Sequence, residues 1–146
     1  LEWAWHEAFH ASDAPPFDLG RLAAFPPEVH GELHFVLHPA VRLLQFNFPI
    51  LAIWEVNQKA YSGEMGVDWD APAESLMLCR DVTDGVSVLI RRISKSAHAF
   101  LYALQTQATL EGAAAVALEL DALFDLQGLL LESLQSGAII DVNVPN

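Results

Sequence analysis

The stretch SLMLCRDVTDGVSVLIRRI, residues 75 to 93, limits the possible folds more than any other part of the chain. Two β-rich runs flank Asp84-Gly85, the strongest short turn signal in the sequence, which predicts a β-hairpin. Cys79 falls in an apolar run and is expected to be a small buried side chain. Helix signals follow directly. Ser94 or Ser96 can cap a first helix with Ala97, Phe100, Leu101 and Leu104 on one side. Thr109 can cap a second, with Leu110, Ala114, Ala117 and Leu118 inward. Asp125 can cap a third, with Leu126, Leu129, Leu130 and Leu134 inward, and Gly137 suits the position just past its end. AIIDVNV then alternates as a closing strand. The expectation is an α+β fold in which residues 75–146 form a winged-helix-like subdomain. The second and third of these helices would be its helix-turn-helix.

Residues 1–74 read as helical segments and a strand forming a connecting subdomain, packed with the rest as one unit. In LEWAWHEAFHA, Leu1, Trp5 and Ala8 share a helix face, with Phe9 close to it. That helix begins without a capping residue, which predicts an element continuing from something upstream. ASDAPPFD breaks it. Asp18 caps a short helix to about Phe25. Pro27 suits a first helical position, and EVHGEL supplies about a turn and a half. HFVLHPAVRLLQFNF is rich in β-formers and predicts an extended segment. Pro49 can start a helix through PILAIWEVNQKA, with Ile50, Ile53, Trp54 and Asn57 on one face. YSGEMGVDWDAPAE, with two glycines and a proline, reads as a loop.

His30, His34 and His38 recur at every fourth position, a spacing that raises the question of a metal centre. On one helix, neighbours would lie about 6 Å apart and could share an ion. On a strand they would be separated by roughly 13 Å. Gly31 weakens a helix, and Pro39 biases His38 to extended geometry. His30 is therefore expected on a short helix and the other two on the extended segment, with no shared ion. His6 and His10 are a better-spaced pair, but two ligands fall short of the three or four a site needs. No metal site and no cofactor are expected.

Charge and composition narrow the function further. The 146 residues suffice for one domain with a core, and no apolar run is long enough for a membrane span. Nothing resembles a signal peptide, and a lone cysteine fits a reducing compartment, so the expected location is the cytoplasm. Net charge is −12 with seven basic residues, of which Arg80, Arg91, Arg92 and Lys95 are four. From Ser96 to Asn146 there is no Lys or Arg. Nucleic-acid affinity draws largely on those residues, so DNA binding is not expected. The third helix of the C-terminal part, DLQGLLLESLQSG, offers Gln127, Glu132 and Gln135 and no cation to a base edge. No phosphate loop, zinc motif, nucleophile elbow or dinucleotide fingerprint is present. Asp68 and Asp70 flank Trp69, but nothing brings a histidine or nucleophile to them, so no catalytic residue is expected.

LEWAWHEAFHA, LHPAVRLL, FPILAIWEVNQ and FDLQGLLLESLQSGAI resemble the C-terminal half of a bacterial family. Its members were first named as DNA-binding proteins and later as peptide-modification chaperones. The resemblance runs from Leu1 to about Ile140 and rests on hydrophobic, structural motifs. It implies a non-catalytic partner of multinuclear non-haem iron oxidases, which modify cysteines of ribosomally made peptides. The partner subunit of methanobactin biosynthesis is a relative. The resemblance also implies an additional helical N-terminal domain, which supplied the DNA-binding name and is not expected within these residues. A DNA-binding regulator is the alternative function. The candidate partner- or peptide-contacting residues are Trp69, Trp54, Arg91, Arg92, Leu131 and Gln135. Trp54 reads as a core anchor or a contact, and Trp69 as folded back or awaiting a partner. Trp3 and Trp5 read as contacts for a partner or for that N-terminal domain. Leu131 lies off the inward face of its helix, where it serves the core or lines a groove for an added peptide strand.

Overall fold

The structure is a computed structural model and describes residues 1–58, 63 and 66–145. Elements follow in the order α1 (Glu2–His10), α2 (Leu19–Ala23), a 3-10 helix (Pro27–Glu32), β1 (His34–Leu37), β2 (Arg42–Phe46) and α3 (Ile50–Val56). The C-terminal part adds β3 (Glu74–Arg80), β4 (Val88–Ile93), α4 (Lys95–Gln105), α5 (Leu110–Leu120), α6 (Leu126–Gln135) and β5 (Ile139–Asn143). The fold is α+β with antiparallel sheets. One sheet has the order β2-β3-β4, and the other pairs β1 with β5.

β3 organises the molecule. Ser75 through Cys79 are all buried, which an alternating half-exposed strand could not be. Met77 and Cys79 face the main core with Phe100, Leu101, Leu104, Ile139 and Val142. Leu78 faces the opposite way, onto Ala4 and Ala8 of α1. α1 thus covers one side of the sheet with a small-residue stripe, flanked by Leu1 and Trp5. Burial also pushes the Cys79 thiol above its ordinary pKa, as desolvation disfavours the thiolate.

The expected hairpin and helix caps are present. Arg80 pairs with Val88, and Asp84-Gly85 sits inside the loop from Asp81 to Ser87, with Gly85 at φ +68°. The side chains of Ser94, Thr109 and Asp125 accept main-chain N–H bonds from Ala97, Gly112 and Gly128. Gly137 has φ +76° after the Ser136 cap of α6. Asp18 caps α2 through Gly20 N–H.

Several expectations need correction. The segment from His34 to Phe46 is two strands in different sheets. A turn at Pro39-Ala40 separates them, closed by the Val41 N–H bond to the His38 carbonyl. On α3 the buried residue is Leu51, outside the face of Ile50, Ile53, Trp54 and Asn57. Its N–H donates to Glu74 Oε2 at 3.1 Å, fixing the first turn of α3 to the start of β3. The continuation of this helix to Lys59 and Ala60, and the first residues of the expected loop, lie outside the described residues. On α5 the buried residues are Ala113 and Ala117, while Leu118 is exposed. α5 packs closely along α4, and close helix approach selects the alanine face over the leucine.

The closing strand β5 pairs with β1, not with the hairpin. Both sheets therefore join strands from either side of residue 74. α5 packs mainly on α4 and the 3-10 helix, and α6 on β5. Among the described residues no helix is long and apolar enough to cross a membrane.

Candidate functional site

β4 is an edge strand with a distinct outer side. The Asp81 N–H donates to the Ser87 carbonyl at 2.7 Å, which sets the phase of the ladder beyond it. Bonded and non-bonded pairs alternate along antiparallel strands. Leu89, Arg91 and Ile93 therefore turn their main-chain groups toward Cys79, Met77 and Ser75. Val88, Ile90 and Arg92 turn theirs away from β3, onto the open edge. Among the described residues no strand pairs with that edge.

A groove of about 220 Å³ lies between β4 and α6. Met77, Ile93, Ala97 and Leu129 supply its apolar lining. Arg91 crosses it to Glu132 on α6, with Nη1 to Oε1 at 2.9 Å. Ser133 and Ser136 complete the α6 side. Arg92 leans to the other face of the sheet, where its Nε donates to Glu74 Oε1 at 3.0 Å. The Arg91–Glu132 pair is exposed enough to contribute only ~0–1 kcal/mol, and in the second pair Arg92 is exposed while Glu74 is largely buried. They orient the arginines beside the edge more than they stabilise the fold.

A second, larger cleft of about 440 Å³ opens at the hairpin-loop end of the same region. Asp13, His38, Arg80, Asp81 and Asp84 surround it, and Ser136 lines both this cleft and the groove. Arg80 is locked in place by Asp13 and by the carbonyls of Ala8, Phe9 and Ala11. Hydrogen bonds from Ser87 and from the Val86 and Ser87 main chain hold the Asp84 carboxyl below its ordinary pKa. His38 Nδ1 accepts the Ala40 N–H at 2.9 Å, so the proton of the neutral ring sits on Nε2.

The six candidate residues do not form one site. Arg91 and Arg92 flank the β4 edge. Gln135 and Leu131 are exposed on α6 but do not line the groove, which takes Leu129, Glu132 and Ser133 instead. Trp54 is half-buried beside Trp5, His6 and Gln58, on the α1 side of the molecule. Trp69 is 70% exposed, on the segment leading into β3. The groove residues Met77, Ala97, Leu129 and Ser133 escaped sequence reasoning. Their signal was faint: 129, 132, 133 and 136 are one helical stripe, but with two serines and a glutamate it did not read as apolar.

The three histidines at four-residue spacing sit on separate pieces. His30 bonds the Phe25 carbonyl from the 3-10 helix, His34 begins β1, and His38 lies past its end. Among the described residues no three His, Cys, Asp or Glu side chains converge on a position for a metal ion.

Two histidines tie stability to pH. Desolvation lowers the pKa of His98 on α4. Desolvation and the nearby Arg80 charge lower that of His38. Each is therefore protonated more readily in the unfolded chain. That contribution to stability is complete above about pH 6.5 and is lost as pH falls toward the depressed folded values. Thermal unfolding is expected at lower temperature at pH 5.5 than at pH 7.5, and His98→Gln should flatten the slope. An unchanged slope in the variant would remove His98 from this account.

No protein-family model and no curated protein matches the chain.

Proposed function

We propose that the chain is a non-catalytic partner protein that captures a precursor peptide by strand addition at β4. It would present that peptide to a multinuclear non-haem iron oxidase in ribosomal peptide modification. The observation that carries the peptide reading is the outward-facing main chain of Val88, Ile90 and Arg92 beside a partly apolar groove. Strand addition draws affinity from main-chain bonds and specificity from side-chain pockets, and needs no basic stripe. The winged-helix mode of peptide binding uses the same pairing of a sheet edge with a third helix. The oxidase enters through the family resemblance alone. On this reading the metal and the chemistry belong to that oxidase.

The alternative, DNA binding, draws no support from α6. Its exposed side chains include Gln127, Glu132 and Gln135 but no cation, and specific DNA binders need phosphate and base contacts from basic residues.

Two substitutions at one position test the strand. Arg92→Ala keeps the outward N–H, and Arg92→Pro removes it without taking a bond from β3. Coexpressed with such an oxidase and its precursor peptide, the wild-type chain should co-elute with both on size exclusion. Arg92→Ala should retain the peptide, whereas Arg92→Pro should weaken it about tenfold, near the worth of one well-made main-chain bond. Equal retention by both variants would count against strand addition. Separate elution of wild-type chain and oxidase at micromolar concentration would remove the partner.

A further inference from the structure

The two ends of the β4 edge differ in charge. At its C-terminal end stand Arg91, Arg92 and Lys95, three of the seven basic residues in a chain of net charge −12. At its N-terminal end the hairpin loop and the cleft place Asp81, Asp84 and Asp13 around Arg80. Arg80 is already committed to Asp13 and three carbonyls, so it cannot offset the loop carboxylates. Glu132 and Glu74 partly neutralise Arg91 and Arg92, while Lys95 has no ion-pair partner among the described residues. The partly apolar groove takes Arg91, Arg92 and Ile93 from β4 and so lies at the cationic end, with Ser136 joining it to the acidic cleft. Between the two charged ends the strand itself carries the half-buried Val88, Leu89 and Ile90.

We infer that the edge selects its guest by charge order: an extended segment with acidic residues first, an apolar middle and basic residues last. The inference rests on the strand-addition reading and specifies the substrate class of that same edge. Direction follows from the sheet. Both of its pairings are antiparallel, so a guest that continues the pattern runs opposite to β4. It then enters beside Ile93 and Lys95 and leaves beside Val88 and the acidic loop. Its N-terminal residues meet the cations, and its C-terminal residues meet Asp81 and Asp84. Guest side chains in the middle of the segment lie beside Leu89 and Ile90 of β4, which favours aliphatic residues there. Exposed charges act within about a Debye length, roughly 14 Å at 50 mM salt, so each end reads its own neighbour and little of the other.

The test uses the full chain and two fluorescein-labelled, end-blocked decapeptides. One is Glu-Glu-Val-Thr-Ile-Val-Thr-Val-Lys-Lys, and the other carries Lys-Lys first and Glu-Glu last around the same middle. Anisotropy titration at about 50 mM salt should show the acid-first peptide binding about tenfold more tightly, with the gap closing at about 500 mM as screening sets in. Lys95→Glu should remove most of the preference, and a glutamate in the first turn of α4 favours that helix. Equal affinities, or a preference for the reversed order, would overturn the charge-order inference. If those equal affinities also fell with Arg92→Pro, strand addition would survive without it. If neither peptide bound, strand addition at β4 would fall, and the charge order with it.

Discussion

Phe100→Ala is expected to lower the free energy of unfolding by about 3–5 kcal/mol, the usual cost of emptying a fully buried aromatic site. Phe100 is 0% exposed and belongs to the cluster that joins α4 to β3, α5 and β5. Its ring lies 5.8 Å from that of Phe124, tilted at 47°. Phe124 comes from the α5–α6 connection, so the pair ties that connection to the core. The neighbours of Phe100 are drawn from distant parts of the sequence, and such a site collapses poorly around a hole. For a domain with a total stability of ~5–15 kcal/mol, the loss is a large fraction of the whole. Urea unfolding should show a lower midpoint with an unchanged slope. A loss below about 1 kcal/mol would mean that α4 is not packed into the main core as described.

Local signals were legible in the sequence, and non-local pairings were not. Ser94, Thr109 and Asp125 announce their helices because a cap acts within three residues of itself. Asp84-Gly85 announces the hairpin for the same reason. The pairing of β1 with β5 brings His34 opposite Asn143, and nothing within either strand specifies so distant a partner. The inward face of α5 shows the same limit from another side. Periodicity pointed Ala114 and Leu118 inward with Ala117, and the closeness of α4 instead buried Ala113 with Ala117. The site divides likewise. Arg91 and Arg92 were visible as a basic cluster at the end of a hairpin. The groove beside them was not, because it exists only where Met77, Ala97 and Leu129 meet from three elements. Trp54 and Trp69 drew attention by residue type, and the structure puts Trp54 on the α1 side and Trp69 on the segment before β3.

Arg80→Ala is expected to cost about 2–4 kcal/mol, through loss of charge-assisted bonds at the end of a helix. α1 ends without a glycine cap, and its last carbonyls would otherwise face the sheet unpaired. Arg80 Nη2 donates to the carbonyls of Ala8, Phe9 and Ala11 at 3.1, 2.9 and 2.7 Å. A cation at a helix C-terminus also opposes the negative end of the dipole. Nη1 holds Asp13, but that carboxylate is 91% exposed, so the ion pair itself contributes little. Among the described residues Nε has no partner, which leaves the stabilisation with the two terminal nitrogens. Arg80→Lys should recover less than half of the loss, since one ammonium cannot reproduce a planar fork that serves carbonyls and carboxylate together. Asp13→Asn should cost under about 1 kcal/mol. The damage should also be local: in Arg80→Ala, amide exchange of α1 should accelerate well before that of α4 and β3, because α1 covers the sheet face away from the main core. Stability of Arg80→Ala within about 0.5 kcal/mol of wild type, or uniform exchange across the molecule, would show that the packing of Ala4 and Ala8 alone holds α1 in place.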